Sequence, residues 1–437
     1  MDSGQLAWYL TASALVLFMT PGVAFFYGGL VKAKSVVSMM MMSFGAMGLV
    51  TVLWILYGAN EGTITVDGHA DAPFSGWIPG VLGNPFSDFS LTSLGYASDG
   101  QSASANNDSL LVVFFGATFA IITVALISGA IADRAKFGAW MVFAGLWATL
   151  VYFPVSGWVW GFDADGPTGW IYNLPSLLGL TNGGAATSAQ TVMDYAGGTA
   201  VHINAGAAAL ALALVLGKRV GFAKGSSKPH NVPLVLLGAS ILWFGWFGFN
   251  AGASATVGFD GLGILALNTF GCTAAAILGW CIVEKLKEGK ATSVGAASGA
   301  VAGLVAITPA CYWLTPGWAL VLGVVAGAIC ALAVELKFKL GFDDSLDVVG
   351  VHMVGGFVGC WYLGFFANGS GLVYGGDGSQ LLVQVIASLA VAIYSFVIAW
   401  ILGFLIEKTM GFRVKNEDEI AGVDVVVHGE EAYGIAD

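Results

Sequence analysis

Asp194-Tyr-Ala-Gly-Gly-Thr-Ala-Val-His202-Ile-Asn-Ala-Gly206 sets an acid and a histidine eight residues apart in a run that is otherwise mostly small and apolar. The pattern recurs as Asp344-Ser-Leu-Asp-Val-Val-Gly-Val-His352-Met-Val-Gly-Gly356, with the same spacing and a glycine four positions after the histidine. The two histidines lie 150 residues apart. What surrounds them decides the fold class.

Only 10% of the 437 residues are charged, 57% are hydrophobic, and the mean hydropathy is +0.81. A soluble domain carries about 25% charged residues, so this composition implies a polytopic integral membrane protein, expected from its long apolar runs to be all-α. The 63 glycines agree, because small residues let membrane helices approach closely. The net charge of -11 says little about partners, since most acids fall in loops and the tail; no nucleic-acid partner is expected. Cys272, Cys281, Cys311, Cys330 and Cys360 are scattered without a CxxC pair and read as small buried hydrophobes. No Lys or Arg precedes Lys32, so no signal-peptide n-region is expected and the first apolar run should be a retained span.

A helical span takes about 20 mostly apolar residues. That rule places spans near 6–30, 38–60, 109–131, 137–160, 196–217, 232–253, 260–284, 291–313, 316–336, 346–367 and 381–407, eleven in all. Lys and Arg accumulate on the cytoplasmic side of a membrane and so test the count. Every one of the 16 falls after an odd-numbered span: Lys32 and Lys34; Arg134 and Lys136; Lys218, Arg219, Lys224 and Lys228; Lys285, Lys287 and Lys290; Lys337 and Lys339; Lys408, Arg413 and Lys415. A miscounted span breaks this alternation. The N-terminus is expected outside and the C-terminus inside.

The loops near 61–108 and 161–193 are long and rich in Gly, Asp, Asn and Ser, as external loops tend to be. The polar tail from Glu407 is either a solvated tail or a docking segment for a cytoplasmic partner. The two Asp-to-His units fall in spans 5 and 10, so each closes a set of five. Five is odd, and the second set must enter the membrane inverted; such repeats place a shared pathway between the halves near the midplane. The expected division is a first half over 1–217, an inverted half over 218–367, a bracing eleventh helix within 368–407 and a cytoplasmic tail over 408–437.

Histidines inside a bilayer are costly and usually face a cavity or the bundle interior. Taken singly, His202 and His352 could be packing residues bonded to a neighbouring helix. As a symmetry-related pair they suggest a shared pore site, where one imidazole could pass a proton to the other. Two imidazoles without a third ligand make a poor zinc site. Asp194 is both a natural helix N-cap and a carboxylate that would favour a cation at the outer mouth; Asp344 and Asp347 read mainly as caps. Phe115 and Phe119 lie one turn apart, Trp160 ends span 4, and Trp246 and Phe249 lie near the end of span 6. These aromatics belong either to the interfacial belt or to a cation site built from π faces.

Several stretches together resemble the ammonium transporter (Amt/Mep/Rh) family, on its Amt side. They are Thr20-Pro-Gly-Val-Ala-Phe-Phe-Tyr-Gly-Gly29, Phe119-Ala-Ile-Ile-Thr-Val-Ala-Leu126, Asp194 to His202, Trp243-Phe-Gly-Trp-Phe-Gly-Phe-Asn-Ala-Gly252, Asp343 to His352, and Gly422-Val-Asp-Val-Val-Val-His-Gly-Glu430. The resemblance covers essentially the whole chain. It implies a homotrimer in the plasma membrane, each protomer with its own pore, and no cofactor, metal or enzymatic activity. It further implies an outer ammonium-recruitment site at Trp160, Phe115, Phe119 and Trp246, with Asp194 as the nearby acid. Phe119 and Phe249 match the phenylalanine gate, and His202 and His352 the twin pore histidines. Ammonium, ammonia and methylammonium are the implied substrates, and a PII-type signal protein the implied partner at the cytoplasmic face.

Two positions depart from the family pattern. The family's recruitment-site hydroxyl falls on Ala253, with Ser254 one residue later, and the Gly usual after the second histidine is Met353. One residue turns a helical side chain by about 100°, so Ser254 is not expected to replace the missing hydroxyl, and Met353 is expected to crowd the pore. These departures suggest the alternative of an ammonium sensor with little flux, although sensors of the family usually carry a fused signalling domain and none is expected in this sequence. An intramembrane hydrolase is a third reading, for which the sequence offers no HExxH motif, no third metal ligand and no obvious nucleophile with a base.

Overall fold

The computed structural model describes residues 1–62, 78, 80–95, 107–163, 166–181, 189–222 and 228–434. Lys224 and parts of the two long loops lie outside the described residues. Among the described residues ten helices are long and apolar enough to cross a membrane: α1 Ser3–Leu30, α2 Val36–Glu61, α3 Asn107–Ile131, α4 Phe137–Trp160, α5 Gly198–Leu216, α6 Val232–Val257, α7 Leu262–Glu288, α9 Pro316–Leu340, α10 Val349–Phe366 and α11 Ser379–Thr409. Between the seventh and the ninth lies α8, Ser293–Ile307, at 15 residues. A two-residue antiparallel pair, Phe162–Asp163 with Gly166–Pro167, follows α4.

Polar residues start and stop these helices where the local chemistry requires. Asp2 and Gln5 form a reciprocal capping box at the head of α1. Asn231 caps α6 through the Leu234 N–H at 3.0 Å, and Thr292 caps α8 through the Gly295 N–H at 2.8 Å. The α8 span, expected to reach residue 313, ends at Ile307 because Pro309 has no N–H to continue the ladder. The carbonyls freed there are used: Tyr195 and Ala196 donate their N–H groups to Pro309 and Thr308.

Glycines set how close the helices come. The α1–α6 crossing leaves no room for a side chain at Gly238, where a Cβ would stand 2.2 Å from the Phe26 backbone nitrogen. Contacts from Gly29–Val235 through Gly22–Ile241 to Ala12–Gly248 show the two helices running antiparallel. Large apolar side chains such as Phe244, Leu278 and Ile393 remain exposed on the periphery, the pattern a lipid-facing surface requires.

α11 runs parallel to α5. Gln384 holds the Met193 backbone on both sides, Ser395 donates to the Asn204 carbonyl at 2.7 Å, and Gly403 abuts Leu212.

The basic connections are tied together at one end of the bundle. Arg219 grips Asp343 through two parallel 2.9 Å bonds and reaches Asp133 at 2.9 Å, while buried Arg134 donates to the Asp343 carbonyl. Burial alone would raise the Asp343 carboxyl, but the hydrogen bonds and charge of Arg219, with Arg134 behind, hold it below its ordinary value. The tail is neither free nor wholly solvated. Val414 donates to Arg134, Glu419 accepts from Val220 and Arg413, and Asp424 accepts from the Val37 and Ser38 N–H groups at the start of α2.

Candidate functional site

His202 and His352 sit in the first turns of α5 and α10, and both turns are π-helical: Gly198–Ile203 and Val349–Met353. Wide turns of this kind leave backbone N–H groups to be satisfied from outside the helix. Asp194 meets that need, its carboxylate accepting from Gly197, Gly198, Thr199 and Ala200 at 2.6–3.0 Å. Asp344 does the same for the other copy, accepting from Val349 at 2.7 Å. The acids are therefore built into the helix starts, as the capping reading expects. The cap also places Trp160, whose indole N–H donates to the Asp194 carbonyl at 2.9 Å.

The two π-turns cross in reciprocal fashion. A Cβ on Gly206 would meet Met353 at 2.6 Å, and a Cβ on Gly356 would meet Ile203 at 2.7 Å. Position four after one histidine thus touches position one after the other, in both directions. The crossing brings Nδ1 of His202 within 3.2 Å of Nδ1 of His352, with ring centroids 5.3 Å apart and planes 24° from parallel. Both imidazoles are buried.

Two cavities flank a ring pair. At the end of the bundle away from the basic loops, a cavity of about 460 Å³ is walled by Tyr9, Phe115, Phe119, Trp160, Tyr195 and Trp313, with Asp194 and Ala253 also in its lining. Phe119 and Phe249 then stack at 4.1 Å, only 14° from parallel. Phe249 lines both cavities. The second, of about 10 Å³, carries His202 and His352 among Phe26, Ile122, Leu242 and Val301; that space suits about one water molecule.

Trp246 is not in the larger cavity. It lies on the histidine side of the ring pair, its indole stacked on His202 at 5.4 Å and 19°. Trp243 and Trp246 lie three residues apart in one apolar run, and packing decides that Trp246 is the one buried against the histidine. Met353 is absent from the residues lining the narrow cavity and packs instead on Gly206. Ser254 does not replace a hydroxyl at Ala253; it is buried and donates back to the Ala251 carbonyl at 2.6 Å. Tyr9, Tyr195 and Trp313, which sequence reasoning did not single out, complete the aromatic wall. Tyr9 meets Phe115 at 4.9 Å. Among the described residues no group of three or more His, Cys, Asp or Glu could hold a metal ion.

The profile of the Ammonium Transporter Family matches residues 7–433. The chain belongs to the ammonium transporter family. It is 49% identical to an ammonium transporter of Mycobacterium bovis, over 100% of this chain and 91% of that protein. Its fold is similar to that of Candida albicans Mep2 in a crystal structure, with a TM-score of 0.79, 31% identity, and 99% and 91% of the two chains covered. It is also similar to a solved Sensor Amt Protein, with a TM-score of 0.82, 26% identity, and 97% and 98% coverage. Membership makes this a multi-pass membrane protein of a transport family whose substrate is ammonium.

Proposed function

We propose that the chain recruits ammonium at the aromatic cavity, that the ion gives up its proton there to water or to the His202–His352 pair, and that ammonia passes the Phe119–Phe249 stack and the two histidines to the cytoplasm. The observation that carries this reading is the order along one line: an aromatic cavity, a stacked ring pair, then two touching imidazoles in a space for about one water. Aromatic faces attract a small cation by about 2 kcal/mol or more once it is desolvated. A bare cation in the bilayer interior costs about 3 kcal/mol or more, which neutral ammonia avoids. Potassium has no proton to shed and stays outside.

In this reading Trp160, Phe115 and Phe119 form the recruitment site with Asp194 as its ordering acid, and Trp246 serves the histidines. The protein has eleven spans, with α8 crossing as a short helix, its N-terminus outside and its C-terminus inside. The halves 1–217 and 218–367 are inverted copies, a relation supported by the antiparallel pairings of α1 with α6 and α5 with α10. Residues 368–407 brace them and 408–437 form the tail. The protein works as a homotrimer in the plasma membrane, also takes methylammonium, and receives a PII-type protein at its basic, cytoplasmic face.

A sensor with little flux is the second reading, favoured by the likeness to a Sensor Amt Protein. Methylammonium uptake after expression in cells lacking their own ammonium uptake separates the two. Saturable uptake is expected; none from a well-inserted protein overturns transport.

A further inference from the structure

His202 has few handles on its ring. Nδ1 is occupied by His352 at 3.2 Å, and Nε2 has no hydrogen-bond partner among the described residues. Most histidines that act on a proton or a metal are oriented by a hydrogen bond from the second nitrogen to a fixed group. Here the remaining contacts are ring faces: Trp246 at 5.4 Å and 19°, and Phe249 at 6.0 Å and 34°. The plane of His202 is therefore set by the plane of Trp246, and the question moves to what holds Trp246.

The indole N–H donates to the Thr308 hydroxyl at 2.8 Å. Thr308 sits where α8 stops before Pro309, so its position is fixed by the backbone rather than by a mobile side chain. Its own proton goes to the Leu304 carbonyl at 2.7 Å or to Asn250 Oδ1 at 3.3 Å. Asn250 in turn donates to Thr269 at 2.9 Å, and Thr269 to the Leu265 carbonyl at 2.7 Å. The chain crosses α6, α7 and α8 and all three of its side chains are fully buried. The break in α8 supplies a second link, because the Tyr195 and Ala196 N–H groups leading into the His202 turn bond to the Pro309 and Thr308 carbonyls.

We propose that Thr308, backed by Asn250 and Thr269, is a positioning residue: it holds the Trp246 indole flat on His202 and thereby keeps the two histidines in register. The proposal rests on the transport reading above. It assigns the end of α8 a purpose, since a helix continuing past Pro309 would take the Thr308 and Pro309 carbonyls into its own ladder and away from Ala196 and Tyr195.

Methylammonium uptake in cells lacking their own ammonium uptake tests it. Thr308→Val keeps the shape and removes the hydroxyl, leaving a buried N–H unpaired; the maximal rate is expected to fall about tenfold with KM within about twofold. Thr308→Ser is expected to restore at least about half the rate, which a packing role for the methyl would not allow. Trp246→Phe removes the donor itself and keeps a ring, so it should reproduce the loss, and adding Thr308→Val to it should cost nothing further. A wild-type rate in Thr308→Val or in Trp246→Phe overturns the proposal, as does an equal loss from Thr308→Val in both backgrounds. If Thr308→Val fails to insert, Trp246→Phe decides alone. A wild-type protein without uptake would instead overturn the transport reading.

Discussion

Gly206 lies directly against Met353, so close that one added carbon would stand 2.6 Å from the methionine's backbone nitrogen. The mirror contact of Gly356 with Ile203 completes the crossing that puts the histidines together. Gly206→Ala and Gly356→Ala should each force the helices apart, at about 1–3 kcal/mol of stability. A thermal unfolding series in detergent, paired with uptake, checks this; unchanged melting in both variants counts against the crossing as described.

The Nδ1–Nδ1 contact requires one ring to donate and the other to accept. A proton entering on one side can then leave on the other only if both rings are present. In proteoliposomes, His202→Ala is expected to lower ammonium-driven current at least about tenfold, and by more than it lowers ammonia flux, followed as internal alkalinisation. Unchanged current would sink the relay.

The Phe119–Phe249 stack separates a large cavity from a nearly filled one. Phe249→Ala should join them and admit water, and water is what a cation needs to enter. The expected result is measurable potassium flux alongside ammonium, with a stability loss of about 3–5 kcal/mol. Retained exclusion of potassium would place the barrier elsewhere.

Asp194 satisfies four N–H groups with two oxygens. Asn offers one carbonyl oxygen and Ala none, so stability should fall in the order Asp, Asn, Ala, with Ala costing about 2 kcal/mol or more. Trp160, hung from the same residue's carbonyl, should lose its fixed position together with the cap, seen as a raised KM for methylammonium. Equal stability of the three proteins would contradict the capping role.

Asp343 is held below its ordinary value of 3.8 by Arg219 and Arg134. A carboxyl depressed in the folded state adds stability above its unfolded pKa and loses it as pH falls through the folded one. The basic-end network should therefore contribute fully at neutral pH and fade only below about pH 4. Arg219→Ala is expected to cost about 3–5 kcal/mol at pH 7 by stranding a buried charge, and much less under acid conditions. Chemical unfolding of both proteins at the two pH values measures the difference.

Composition alone determined a membrane protein, because a chain with 10% charged residues has no means of facing water. The placement of all 16 Lys and Arg after odd-numbered apolar runs, and the repeated Asp-to-His unit, were legible because both are periodic in the chain itself. Family stretches then pointed to the aromatic rings and histidines that the structure brings together. The tertiary structure decided what depends on direction around a helix. Trp246 faces His202 rather than the large cavity, Ser254 turns its hydroxyl into its own backbone, and Met353 turns toward Gly206. Side chains one residue apart on a helix point about 100° apart, and in a span apolar on every side no polar face marks which of them looks inward. Only the close crossings of glycines and the break at Pro309 select that direction, and they act between helices far apart in sequence.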